Sequence, residues 1–142
     1  MAYFEERPLH SLWAAVRPEM TNENSRLALL VEDDAAAAEA LLLILRDWGA
    51  EVIHGPDGDA LTAAVGGRLP DVRWIITDFH LGRGEDGIAL VKRLRAAAPA
   101  SRVLVLSGSF SGRATMDAAR AGFDVMQKPA RAKSIIEWLE RG

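Results

Sequence analysis

The chain has 142 residues, of which 49% are hydrophobic, so it can bury the core of one domain but is too short for two ordinary domains. Its formal net charge of -3 gives no basic surface to attract a phosphate backbone, and we therefore expect no nucleic-acid partner. Without a long apolar run, a secretory signal or a cysteine, the sequence indicates a cytoplasmic protein with no membrane partner.

The first 25 residues differ from the rest and predict an N-terminal extension, 1–25, before a domain at 26–142. Pro8 can begin a short amphipathic helix. Its apolar face would consist of Leu9, Leu12, Trp13 and Val16. The polar run 21–25 is typical of a linker, and Met20 is a plausible alternative translation start.

From Leu27 onward, short runs rich in Val, Leu and Ile alternate with amphipathic segments. The runs predict strands at 27–31, 51–54, 73–77, 102–106 and 124–127. The segments predict helices at 35–48, 59–65, 87–98, 111–121 and 130–141, several of them ended by glycine or proline. Apolar strands that alternate with helices favour an α/β fold with a doubly wound, five-stranded parallel sheet. In such sheets ligands bind beyond the carboxyl ends of the strands.

Acidic residues follow the first and third predicted strands. Glu32, Asp33 and Asp34 come directly after the first, and Asp78 comes directly after the third. Carboxylates that converge repel one another, and a bound divalent cation relieves the repulsion. Acids at a helix start can also simply interact with its dipole, which is the preferred interpretation of Asp34. Together the others predict an oxygen-rich site suited to Mg²⁺.

A hydroxyl and an amine follow the fourth and fifth predicted strands. Ser107 comes directly after the fourth and Lys128 directly after the fifth. Alone, Ser107 is typical of a loop hydroxyl and Lys128 of a solvated surface lysine. With the acids they predict a site for a phosphoryl group, because the hydroxyl can donate to a phosphoryl oxygen and the ammonium can pair with its charge.

These residues resemble the receiver domains of response regulators in two-component signalling. The resemblance covers 27–141 and rests on LLVEDD at 29–34, TDFHL at 77–81, LSG at 106–108 and the Lys128-Pro129 pair. It implies the flavodoxin-like (βα)5 fold with strand order 2-1-3-4-5. Only one helix is predicted after Lys128-Pro129, which favours a stand-alone receiver similar to those of hybrid histidine kinases.

The resemblance also implies a role for each site residue. Asp78 would be the phospho-acceptor. Glu32 and Asp33 would bind Mg²⁺ or Mn²⁺ together with Asp78, and the backbone carbonyl of His80 would be a further ligand. Any enzymatic activity would be limited to slow self-phosphorylation and self-dephosphorylation.

Two further residues would contact the phosphoryl group. Ser107 would donate to the acyl phosphate and Lys128 would pair with it, with a cis peptide bond between Lys128 and Pro129. His10 and His54 are isolated in the sequence and receive no role.

The last predicted strand departs from the family pattern. Val125 stands where family members usually have an aromatic residue that moves on activation, and the segment 122–128 is one residue shorter than common. Phe123 is interpreted as a core residue, and so is Trp138 in the last helix.

The implied partners are a histidine kinase or phosphotransfer protein upstream and a protein bound to the fourth helix, fifth strand and fifth helix downstream. The alternative is a structural adaptor or dimerisation module, in which the N-terminal helix mediates a homodimer and phosphorylation is incidental. A haloacid dehalogenase-type phosphatase fits poorly, because it needs an aspartate where this chain has His80. A flavin site fits poorly too, because the acids after the first strand would repel its phosphate.

Overall fold

The structure, a computed structural model, describes residues 24–80, 86–108 and 112–141. The predicted N-terminal helix lies outside the described residues, and so does the dimerisation hypothesis that depends on it. The domain boundary at residues 25 and 26 stays a prediction. Ser25 nevertheless packs against the domain, where its buried hydroxyl donates to the Asp71 carbonyl at 2.7 Å.

The observed elements agree closely with the predicted ones. The strands are β1 Leu27–Val31, β2 Glu51–Gly55, β3 Val72–Asp78, β4 Arg102–Ser107 and β5 Asp124–Gln127. The α-helices are α1 Ala35–Trp48, α2 Gly58–Val65, α3 Gly87–Ala97, α4 Gly112–Ala121 and α5 Ala132–Glu140.

Differences from the prediction occur at the ends of elements. Gly66–Asp71 forms a 3₁₀ helix that the sequence did not predict, and this helix contains Pro70. Helix α5 begins at Ala132, two residues later than expected, because Arg131 is extended and occupies the N-cap position. Within the described ranges no helix has both the length and the apolar character that a bilayer crossing requires.

The sheet has the strand order β2-β1-β3-β4-β5, and every neighbouring pair is parallel. The fold and strand order expected from the resemblance are therefore confirmed. Val31 is paired with Thr77 and Asp78 with Leu106, so the carboxyl ends of β1, β3 and β4 lie at one edge. Ser107 is paired with Gln127, which brings the end of β5 to the same edge.

Two apolar cores cover the two faces of the sheet. Because side chains alternate along a strand, Leu27, Leu29 and Val31 of β1 enter the core shared with α2, α3 and α4. Ala28 and Leu30 enter the opposite core, shared with α1 and α5. Strands buried on both faces explain the continuous apolar runs in the sequence.

Trp138 attaches α5 to the sheet. Its side chain is fully buried, and its indole Nε1 donates to Asp124 Oδ2 at 2.8 Å. The Arg102 guanidinium lies over the ring, 4.6 Å from its centroid. Phe123 is buried in the other core. Both aromatic residues are core residues, as the sequence indicated.

Helix α3 begins in direct contact with the end of β3. A Cβ atom on Gly87 would overlap the carbonyl oxygen of Asp78, so only glycine permits this approach. The Gly87 N–H donates to the Phe79 carbonyl at 3.0 Å, and the Asp86 side chain caps the helix by accepting from Ile88 N–H at 2.9 Å. The glycine thus sets how closely α3 packs beneath the strand end that carries Asp78.

Replacement of Gly87 by alanine should lower the free energy of unfolding by about 1 to 3 kcal/mol, because the new methyl group overlaps backbone that cannot move aside easily. Urea denaturation measures the loss. Gly67→Ala is the matched control, since a Cβ atom there meets nothing within 4 Å. Equal stabilities of the two variants would contradict the proposed close contact.

Candidate active site

Three carboxylates meet at the carboxyl edge of the sheet. Glu32, Asp33 and Asp78 each offer a ligand oxygen, and these oxygens lie within 4.8 Å of one another. Glu32 is only 1% exposed, whereas Asp33 is exposed and the Asp78 side chain is 12% exposed. The cluster therefore has one buried acid, one partly buried acid and one acid that faces solvent.

Lys128 brings a positive charge to this cluster. Its Nζ lies 3.4 Å from Glu32 Oε1 and 3.4 Å from Asp78 Oδ2. The residue is positioned by the end of β5, where its N–H donates to the Ser107 carbonyl at 2.8 Å. The peptide bond between Lys128 and Pro129 is cis, as expected. The structure brings the predicted acids and the amine together at one edge of the sheet.

The pKa of Lys128 reflects opposing effects. Partial burial disfavours the charged ammonium, but the charges of Asp78 and Glu32 and the hydrogen bonds to them more than offset it, so the Lys128 pKa is raised. The lysine is therefore charged at neutral pH.

Burial is the main cause of the raised pKa of Glu32, and the nearby Asp78 charge adds to it. The Asp34 N–H, which donates to Glu32 Oε2 at 3.2 Å, and Lys128 act in the opposite direction. Asp34 itself occupies the N-cap position of α1, although its side chain makes no capping hydrogen bond. The interpretation of Asp34 as a helix-start residue agrees with this position.

Ser107 and His80 each lie near Asp78 along the chain or the sheet: Ser107 follows Leu106, which pairs with Asp78, and His80 comes two residues after Asp78. Ser107 is the last residue of β4 and is 2% exposed. His80 follows the end of β3, where it forms an isolated antiparallel bridge with Asp86. Its ring lies 4.6 Å from the Phe79 ring, edge to face. The roles of Ser107 as donor and of the His80 carbonyl as ligand stay predictions.

The donor set suits a small hard cation. All three side chains supply carboxylate oxygens, the ligand type that Mg²⁺ prefers. When all groups are ionised, three negative charges and the one positive charge of Lys128 leave two negative charges, which a divalent ion would neutralise. The residues present therefore fit a magnesium or manganese ion.

Sequence reasoning missed His54. The residue lies near the end of β2, and its Nε2 is 2.8 Å from the backbone carbonyl oxygen of Glu32. Parallel pairing of the first two strands, with Leu30 opposite His54, brings the ring to this position. Its place at the end of a predicted strand was the available signal, but a lone histidine without a neighbouring ligand gave no reason to assign a role.

Val125, which the sequence predicts to stand in place of an aromatic residue, lies in β5. It is half-buried in β5 and packs against the core that contains Phe123. The strand itself has only four residues, in keeping with the shortened segment.

Comparison with known proteins identifies the family. The family model described as response regulator receiver domain matches residues 28–140. The chain therefore belongs to the response regulator receiver family, as the sequence indicated.

Curated relatives are longer than this chain. The transcriptional regulatory protein ZraR of Salmonella typhimurium is 30% identical over 114 residues, which make up 80% of this chain and 25% of the relative. ZraR of Escherichia coli O157:H7 is 29% identical over 123 residues, or 86% of this chain and 27% of the relative. The chain thus spans about a quarter of the length of these relatives.

Solved structures share the fold. A response regulator from Burkholderia pseudomallei, crystallised with a phosphorylated aspartic acid, a calcium ion and citrate, is 28% identical with a TM-score of 0.72, over 81% of this chain and 66% of that chain. A receiver domain protein from Clostridium thermocellum is 16% identical with a TM-score of 0.73, over 81% of this chain and 91% of that chain. At that identity the second similarity shows the fold alone.

The raised pKa of Glu32 predicts a specific pH dependence. Above its ordinary pKa of 4.5 and up to the raised folded value, the folded chain binds more protons than the unfolded chain, so this residue's contribution to stability falls as pH rises. Without divalent ions, the free energy of unfolding of the wild type minus that of Glu32→Gln should therefore decrease as the pH rises above the ordinary Glu32 pKa of 4.5. Urea denaturation at each pH measures the difference, and a constant or increasing difference would contradict the assignment.

Proposed function

We propose that this receiver domain accepts a phosphoryl group on Asp78 from a histidine kinase or phosphotransfer protein, in a reaction that depends on Mg²⁺ or Mn²⁺. The observation that carries the proposal is the position of Asp78, whose carboxylate lies 3.4 Å from the Lys128 ammonium and within 4.8 Å of ligand oxygens from two further acids. Such a site brings a nucleophile, positive charge and metal ligands together at one strand end.

The site offers a direct route for the transfer. An Asp78 oxygen attacks phosphorus, an O–P bond forms as the P–N bond of the phosphohistidine breaks, and the histidine leaves with its electron pair. Both reactants are anionic, so charge neutralisation and alignment supply most of the catalysis. Lys128 contributes one positive charge from a fixed position at the end of β5. A bound divalent ion would supply further positive charge against the phosphoryl oxygens.

After transfer, the acyl phosphate carries about two negative charges and needs new donors. Ser107, which is buried at the end of β4, would donate to it, and Lys128 would pair with it. The Burkholderia pseudomallei structure described above contains both a phosphorylated aspartic acid and a calcium ion, which supports an aspartyl acceptor and a divalent ion for this family member as well.

Output would proceed through contact with another protein on the surface formed by α4, β5 and α5. Met116 of α4 is 54% exposed, an apolar side chain suited to such a contact. Because Val125 replaces the usual aromatic residue, the signal would reach this surface without rotation of a ring. The partner could be a second copy of the chain. A cytoplasmic location accords with a kinase donor.

Asp78→Asn should abolish phosphorylation, because the amide lacks the attacking oxygen anion. Incubation of the full chain with Mg²⁺ and a small phosphodonor, followed by intact-mass analysis, should show one added phosphoryl group on the wild type. The matched control is Asp47→Asn, an exposed aspartate near the end of α1, which should be modified like the wild type. A Mg²⁺-dependent adduct that survives in Asp78→Asn would defeat the proposal.

Lys128→Ala should slow phosphorylation of Asp78 by roughly 10²- to 10³-fold, since it removes a preorganised charge that faces the reacting group. Lys128→Arg should recover only part of the rate, because the broader guanidinium places its charge differently. A phosphate-affinity gel time course measures both. Lys133→Ala, an exposed lysine on α5, provides the control, and a wild-type rate in Lys128→Ala would argue against the assigned role.

A further inference from the structure

The end of β2 makes hydrogen bonds to both backbone groups of Glu32. The Glu32 N–H donates to the Gly55 carbonyl at 3.2 Å. The Glu32 carbonyl lies 2.8 Å from Nε2 of His54, and because a carbonyl can only accept, Nε2 carries the hydrogen. The end of β2 thus provides a partner for each backbone group of Glu32, namely the Gly55 carbonyl for its N–H and the His54 imidazole for its carbonyl.

The second of these bonds acts where the regular sheet has stopped. The last paired residue of β1 is Val31, opposite Gly55 on one side and Thr77 on the other. Helix α1 begins only at Ala35, so the chain between them has no ladder to orient it. A bond from outside the ladder to the Glu32 carbonyl replaces the constraint that strand pairing would otherwise provide.

The orientation of that carbonyl affects both acids of the cluster. The peptide group that includes the Glu32 carbonyl also includes the Asp33 N–H, and its six atoms are planar. Holding the carbonyl toward His54 therefore restricts the rotation of the link between Glu32 and Asp33. These are the two residues whose carboxylates converge with Asp78.

We propose that His54 is a positioning residue for the metal-binding acids. Through its Nε2–H it holds the Glu32–Asp33 peptide in the orientation that directs both carboxylates toward Asp78. The inference rests on the proposed metal-dependent function and adds a residue on β2 to a site otherwise built from β1, β3, β4 and β5. Groups that orient ligands in this way typically contribute 10- to 100-fold to metal affinity.

The experiment measures Mg²⁺ binding to the full chain by titration calorimetry, without a phosphodonor. His54→Leu replaces the imidazole by an apolar side chain of moderate size and removes the donor. It should raise the Mg²⁺ Kd by roughly 10-fold or more. His54→Gln carries an amide nitrogen that can reach the same carbonyl, and should keep the Kd within about 3-fold of the wild type.

Two further variants separate positioning from loss of stability. Val52→Ala is the matched control, because Val52 lies two residues earlier on the same face of β2 and packs against the α1 and α5 core. It should lower the urea midpoint while leaving the Mg²⁺ Kd unchanged. If His54→Leu does not fold, His54→Asn replaces it. The asparagine amide is too short to reach the Glu32 carbonyl, so this variant should bind Mg²⁺ as weakly as expected for His54→Leu.

The outcomes distinguish this inference from the proposed function. If His54→Leu, or His54→Asn in its place, binds Mg²⁺ with the wild-type affinity, the positioning role of His54 is overturned. The proposal that Asp78 is phosphorylated would then still stand. The positioning role would also be overturned if the Mg²⁺ affinity falls in proportion to the urea midpoint in Val52→Ala as well as in the His54 variants. A wild-type chain that binds no Mg²⁺ would overturn both proposals. The role would be established if His54→Leu binds Mg²⁺ weakly while His54→Gln and Val52→Ala bind it about as well as the wild type.

Discussion

Glu32, Asp33 and Asp78 hold three like charges within 4.8 Å, and the Lys128 ammonium lies 3.4 Å from two of them. Mutual repulsion and the burial of Glu32 make this arrangement costly for the folded chain, as the raised Glu32 pKa indicates. It is maintained because the three acids lie at the ends of β1 and β3, which are buried by packing on both faces of the sheet. The acidic edge thus depends on the stability of the two cores beneath it.

The cores also determine how accurately the edge is built. Alternating side chains of each strand enter opposite cores, so a shift of register by one residue would exchange the two faces and move the strand ends. Gly87 then allows α3 to pack directly against the Asp78 backbone, and Trp138 attaches α5 to Asp124, the first residue of the strand that leads to Lys128. Residues remote from the chemistry therefore set the distances within the site.

The two acids after β1 differ in their surroundings. Glu32 is buried, accepts a hydrogen bond from the Asp34 N–H and is close to Lys128, whereas Asp33 faces solvent. This difference suits a site in which one ligand is held rigidly and another can adjust to an arriving ion. Val125, which the sequence predicts to stand in place of an aromatic residue, is half-buried in β5 and packs against the core that contains Phe123.

The sequence by itself determined the five strands and five α-helices, their order and the chemistry after β1, β3, β4 and β5, because buried parallel strands produce apolar runs and the site residues follow those runs directly. It could therefore place Glu32, Asp33, Asp78, Ser107 and Lys128 on one edge. Only the tertiary structure revealed the His54 bond to the Glu32 carbonyl and the contact between Gly87 and the Asp78 carbonyl. The His54 bond joins residues 22 positions apart, which strand register brings together. The Gly87 contact depends on how closely a helix approaches a strand. Neither arrangement is visible in a local sequence pattern.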